Sequence, residues 1–149
     1  FSLEINDGDR ICLFAPSGFG KSTILRLIMG LEKPKSGEIR GKEYLKISAV
    51  FQEDRLIPQK TVSENLALFG GEDKIPEILE NLNLRDTENL YPNELSGGMA
   101  RRIAIARALN YSGDVFILDE PFNGIDKENI LKTAEYIKNK TNGKFTDSL

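Results

Sequence analysis

A short apolar run, Ile11-Cys12-Leu13-Phe14, opens directly into Ala15-Pro16-Ser17-Gly18-Phe19-Gly20-Lys21-Ser22-Thr23, and then into apolar residues at helical spacing. A buried strand, a glycine-rich turn and a helix beginning at Lys-Ser leave few folds open to the chain. Gly18 and Gly20 let the backbone curl so that successive N–H groups converge on phosphate oxygens. The helix N-terminus that follows adds its partial positive charge. Lys21 supplies a full charge to the β- and γ-phosphates, and the Ser22 hydroxyl is placed to ligate Mg²⁺. The helix is expected to run to about Met29, with Ile24, Leu25, Ile28 and Met29 on one face and Gly30 as its stop. Cys12, in the strand, is expected to be a small core residue.

The rest of the chain alternates strand and helix patterns, which favours an α/β fold. Glu38–Arg40, Ile47–Phe51 and Val115–Leu118 read as further strands. Between about 53 and 111 the pattern is helical. Thr61 with Glu64 forms a capping-box pattern, a second helix covers Lys74–Leu82, and Ser96 caps a third running to about Leu109. Asp126 caps a last helix with Ile130, Leu131, Ala134 and Ile137 on one face. The expected organisation is one domain over 1–149. Its α/β core, with a mainly parallel sheet, comprises 1–52 and 112–149, and a helical subdomain is inserted at about 53–111.

Val115-Phe116-Ile117-Leu118 ends in Asp119-Glu120. Two carboxylates at the end of a doubly buried strand need a reason, because charge there is costly. Asp119 can hold the Mg²⁺ shell and Glu120 can polarise a water for attack on the γ-phosphate. Alone, a strand followed by Asp-Glu is commonplace; beside a phosphate loop it acquires that chemistry. Leu95-Ser96-Gly97-Gly98-Met99 reads either as an ordinary capped helix start or as an anion site of one hydroxyl and two bare N–H groups. Arg101, Arg102 and Arg107 read as the polar face of that helix.

In their order and approximate spacing, Ser17–Thr23, Gln52, Leu95–Gly98, Asp119-Glu120 and Asp126 resemble the ATP-binding-cassette (ABC) ATPases, and the resemblance covers essentially the whole chain. It implies a phosphate-loop NTPase core of RecA type, with ATP and Mg²⁺ as ligands. Residues 15–23 would bind the nucleotide, and Ser22, Gln52 and Asp119 would attend the metal. Glu120 and Gln52 would carry out the chemistry, Gln52 also beginning the loop that senses a transporter partner. Ser96, Gly97 and Gly98 would contact ATP held on the opposite subunit of a head-to-tail dimer, and Asn123–Asp126 would cross the dimer seam. The segment Phe51–Pro58 and Met99 look like the nitrate, sulfonate and taurine importers. The implied protein is a cytoplasmic ATPase held on the inner face of the membrane by a permease subunit, energising uptake of a small solute. Alternatives are a soluble ABC ATPase of the DNA-repair or translation type, or a truncated, inactive fragment.

Two positions depart from the family pattern: Ala15 stands for a glycine, and Met99 for a glutamine. The adenine-stacking aromatic would lie before Phe1, and the switch histidine on a strand after Lys144. The residues in hand are therefore expected to be part of a larger entity and marginally stable alone. The 149 residues contain no histidine, which removes the commonest general base, and one cysteine, which excludes an intrachain disulfide. A net charge of −3 argues against a broad nucleic-acid-binding face, and no nucleic-acid partner is expected. A guanine reader of the Asn-Lys-x-Asp type is approached only by Asn139-Lys140-Thr141-Asn142, which lacks the carboxylate and reads as helix surface.

Overall fold

The structure, a computed structural model, describes residues 2–16, 18–41 and 44–141 together with the backbone of 146–148. Helix α1 (Lys21–Ile28) precedes strand β1 (Ile47–Val50). Helices α2 (Val62–Ala67), α3 (Ile75–Asn81) and α4 (Gly97–Tyr111) follow. Strand β2 (Val115–Asp119), helix α5 (Lys127–Lys140) and strand β3 (Thr146–Ser148) complete the described elements. The strands form one parallel sheet in the order β1-β2-β3, with Ile47 opposite Val115, Val50 opposite Leu118, and Asp119 opposite Ser148. Parallel neighbours require crossovers, and the helical segment between β1 and β2 serves as one. The strand placed after Lys144 is present as β3, beside the Asp-Glu strand; Phe145 and Leu149 themselves lie outside the described residues.

Local signals place the helices. Thr61 accepts from the Glu64 N–H while the Glu64 carboxylate accepts from the Thr61 N–H at 2.8 Å, closing both halves of the capping box. The Ser96 hydroxyl accepts from Met99 N–H at 3.2 Å, and Asp126 accepts from Asn129 N–H at 3.1 Å. Gly30, at φ 73°, follows the last turn of α1 in the left-handed region, where glycine carries no Cβ penalty.

Two apolar clusters share one helix. Val62, Leu66, Ile75, Ile78, Leu79, Leu82 and Leu84 pack with Ile103 and Ala106 of α4. Val50, Phe116, Leu118, Ile125 and Ile137 pack with Ile105 and Ala108 of the same helix. Helix α4 is therefore covered on both sides and ties the helical layer to the sheet. Arg101 and Arg102, expected on a solvated face, are 3% and 6% exposed. The apolar residues Ile103-Ala104-Ile105-Ala106 encircle the helix and leave no polar face at that level.

Other expectations are corrected as well. Ile11–Phe14 does not join the sheet: Cys12 makes one isolated bridge and is exposed, and Phe14 is 90% exposed. An apolar run becomes a strand only where a neighbouring strand takes up its backbone N–H and C=O groups, and among the described residues this run has the one bridge at Cys12. Glu38–Arg40 is also not a strand. On α5, Leu131 faces out, while Thr133, Tyr136 and Ile137 are buried. Asn139 and Lys140 are exposed at the end of α5, where Lys140 pairs with Glu77 at 2.7 Å; Asn142 lies outside the described residues.

The start of β2 depends on a close backbone approach. Lys46 O accepts from Asp114 N–H at 2.7 Å and from Val115 N–H at 3.1 Å. A Cβ on Gly113 would stand 2.7 Å from Ser48 N and 2.8 Å from Lys46 O. Both are backbone atoms of the neighbouring strand region and cannot swing aside. Gly113→Ala in the full-length protein is expected to cost about 1–3 kcal/mol of stability through overpacking. An unchanged denaturation midpoint would show that this approach is not as tight as the structure has it.

Candidate functional site

The phosphate-loop residues sit on the turn into α1. Gly18 and Gly20 adopt φ 84° and 86°, the left-handed region the expected curl requires. Phe19 N–H donates to Pro16 O at 3.3 Å, closing the turn, and Gly20 is the N-terminal cap of α1. Lys21 leads the helix and its Nζ reaches back across the loop to Ala15 O at 2.6 Å. The ammonium thus lies over the loop it was expected to serve. Ser22 and Thr23 occupy the first turn of α1; Ser17 lies outside the described residues. Helix α1 comes within 8 Å of β2, which puts the loop's helix beside the strand that carries the carboxylates.

Strand β2 delivers Asp119 half-buried at its last position and Glu120 exposed just beyond it. Glu120 has φ 49°, an uncommon backbone conformation for a residue with a side chain. Strand β1 ends at Val50, two residues before Gln52, and the sheet register holds the two strand ends side by side. Gln52 Nε2 approaches Glu120 Oε2 at 3.5 Å although 68 residues separate them. A neutral amide beside a carboxylate at a strand end is a pair able to orient a water between them.

The Leu95–Gly98 segment stands at the N-terminus of α4. Ser96 and Gly97 are exposed, and the Ser96 hydroxyl is spent on its own helix. Gly98 lies against the Asn123–Asp126 loop, where a Cβ would meet Gly124 O at 3.0 Å. The Asn129 amide and N–H hold the Asp126 carboxyl below its usual range. These two expected site segments are therefore brought together, as are Gln52 and Glu120.

The residues missed as site components are the arginines of α4. Arg102 Nη1 donates to Leu82 O at 2.7 Å and Asn83 O at 2.9 Å, and its Nε donates to Gly98 O at 3.2 Å. Arg107 donates to Asp54 O at 3.0 Å and Arg55 O at 2.8 Å. Burial lowers the pKa of both from the ordinary guanidinium value, a range in which arginine stays charged at any physiological pH. Arg101 donates to carbonyls at the ends of both β1 and β2. The available signal was the apolar ring at 103–106, which denies these side chains a solvated face.

A glycine-rich loop opening a helix, a parallel sheet, and an amide and carboxylate at adjacent strand ends define an α/β protein built around a phosphate-binding loop. The chain belongs to the ABC transporter family, whose sequence pattern matches residues 1–123. It is 41% identical over 136 residues to the aliphatic sulfonates import ATP-binding protein SsuB of Bacillus subtilis (strain 168), covering 83% of this chain and 53% of that protein. To the probable sulfate/thiosulfate import ATP-binding protein CysA of Chlorella vulgaris it is 42% identical over 144 residues, covering 84% of this chain and 61% of that one. The chain thus spans little more than half the length of these relatives. Among solved structures, the dimeric bacterial ABC transporter cassette MJ0796 superposes with a TM-score of 0.85 at 31% identity, covering 98% of this chain and 76% of that one. The same cassette is known bound to ADP and Pi in a dimeric post-hydrolysis state. The RNase-L inhibitor superposes with a TM-score of 0.81 at 30% identity, covering 95% of this chain and 28% of that one.

Proposed function

We propose that this chain is the catalytic part of an ATP-hydrolysing subunit that energises a membrane importer of a small solute, with sulfonates and sulfate-like oxyanions as the solute class. The approach of Gln52 to Glu120 at 3.5 Å, at the strand end beside the phosphate loop's helix, carries the reading. The solute class follows the names of the relatives, which import aliphatic sulfonates or sulfate and thiosulfate.

Residues 15–23 cradle the triphosphate on backbone N–H groups, with Lys21 moving from Ala15 O onto the β- and γ-phosphates. The donor set Ser22, Gln52 and Asp119 is oxygen-only and small, which suits a Mg²⁺ that keeps phosphate and water in its shell. Held by these residues, Mg²⁺ would supply positive charge against that developing on the phosphates. Glu120 and Gln52 orient the attacking water, Glu120 accepting its proton and the Gln52 amide fixing its position. Ser96, Gly97 and Gly98 complete the site of a second cassette in a head-to-tail dimer, with the Asn123–Asp126 loop at the seam. With a core (1–52, 112–149) and a helical subdomain (about 53–111), each half of the dimer brings one phosphate loop and one Leu95–Gly98 segment.

Among the described residues no helix is long and apolar enough to cross a membrane. The import names of the relatives support attachment through a permease subunit, with the ATPase peripheral on the cytoplasmic face. Glu53–Pro58, anchored from behind by Arg107 and leaving Ile57 36% exposed, is the segment assigned to that contact. Single cysteines placed across 53–58 in cells are expected to crosslink to a membrane subunit. Crosslinks that reach only soluble proteins or nucleic acid would overturn the transport reading in favour of a soluble ABC ATPase.

A further inference from the structure

Arg101 is 3% exposed, and its guanidinium is aimed at backbone carbonyls of two segments far apart in sequence. On the β1 side it donates to Gln52 O at 3.3 Å, to Phe51 O, and to the Asp54 carboxylate at 3.2 Å. On the β2 side it donates to Asp119 O at 2.8 Å, to Pro121 O at 3.0 Å and to Glu120 O. A buried guanidinium is costly unless its donors are used, and here the planar fork is spread over six acceptors. Only one of them, Asp54, is a formal charge. The remaining five are the carbonyls flanking the side chains of Gln52 and Glu120. Glu120 itself is held at φ 49°, a conformation that persists only where surrounding contacts fix it.

We infer that Arg101 is a positioning residue that locks the Gln52 loop and the Asp119-Glu120 strand end into one rigid unit, setting the amide–carboxylate pair for hydrolysis without touching nucleotide. The inference rests on the ATPase reading for its catalytic consequence but not for the mechanical one. Arg107 grips the same loop at Asp54 O and Arg55 O and, among the described residues, has no hydrogen bond to the β2 side, so it separates holding the loop from joining the two segments. Lysine keeps the charge and the aliphatic stem but offers one compact ammonium with three donors in place of a planar fork that spans six acceptors.

The test compares the full-length protein with Arg101→Lys and Arg107→Lys by amide hydrogen exchange and by steady-state ATP hydrolysis. In Arg101→Lys, exchange in 50–56 and in 119–125 should rise together by roughly tenfold, while 75–81 keeps parental protection. The kcat should fall roughly ten- to hundredfold through misplacement of the pair, with KM for ATP within about threefold of the parent because the phosphate loop is untouched. Arg107→Lys should loosen 50–56 alone. Loosening of only one segment or of neither in Arg101→Lys, the same joint loosening in Arg107→Lys, or a loss that falls on KM rather than kcat would overturn the inference. If the parent hydrolyses no ATP, the function proposed above fails, and the exchange pattern by itself still decides whether Arg101 couples the segments.

Discussion

Glu120→Gln in the full-length protein is expected to bind MgATP like the parent and to hydrolyse it about 10²–10³-fold more slowly. Glutamine keeps the length and planarity of the side chain, so the 3.5 Å approach of Gln52 and the turn at φ 49° can survive the change. What disappears is the negative charge that aligns a water and takes its proton. A single preorganised contact made mainly in the transition state is worth about 2.7–4 kcal/mol, which sets that range. Because the change leaves ground-state contacts to the phosphates intact, the loss should appear in kcat and not in ATP affinity. A parental turnover rate in this variant would remove Glu120 from the chemistry.

Lys21→Ala should instead act on binding. The Lys21 ammonium already spans the loop to Ala15 O at 2.6 Å, so its reach covers the space enclosed by the glycine turn. Hydrogen bonds to charged groups contribute about 1.5–3 kcal/mol each, and every 1.4 kcal/mol is tenfold in affinity. MgATP affinity is therefore expected to fall roughly ten- to hundredfold, with the loop's N–H groups and the α1 N-terminus left to hold the phosphates. Calorimetric titration checks this directly, and equal affinity in variant and parent would remove the phosphate-loop assignment.

Features whose cause is local were legible in the sequence. Thr61 with Glu64, Ser96 and Asp126 carry the capping chemistry on adjacent residues, and each helix starts where its cap says it should. Gly18 and Gly20 are likewise explained by the φ values they adopt. Features whose cause lies elsewhere in the chain were not. Ile11–Phe14 has the composition of a buried strand, but burial is conferred by neighbours, and among the described residues the run makes one isolated bridge, at Cys12. Arg101 looks like any helix-surface cation until β1 and β2 end on either side of it. The pairing of Gln52 with Glu120 across 68 residues is a consequence of the parallel register, which no local pattern encodes.

Nucleotide trapping puts the parent, Glu120→Gln and Lys21→Ala in one experiment: each full-length protein is mixed with labelled MgATP, separated from free nucleotide, and its bound label resolved into ATP and ADP. If residues 15–23 bind the phosphates and Glu120 drives hydrolysis, the parent returns ADP, Glu120→Gln returns ATP, and Lys21→Ala returns little of either. Equal ADP from all three proteins, or no retained nucleotide in the parent, would contradict the account.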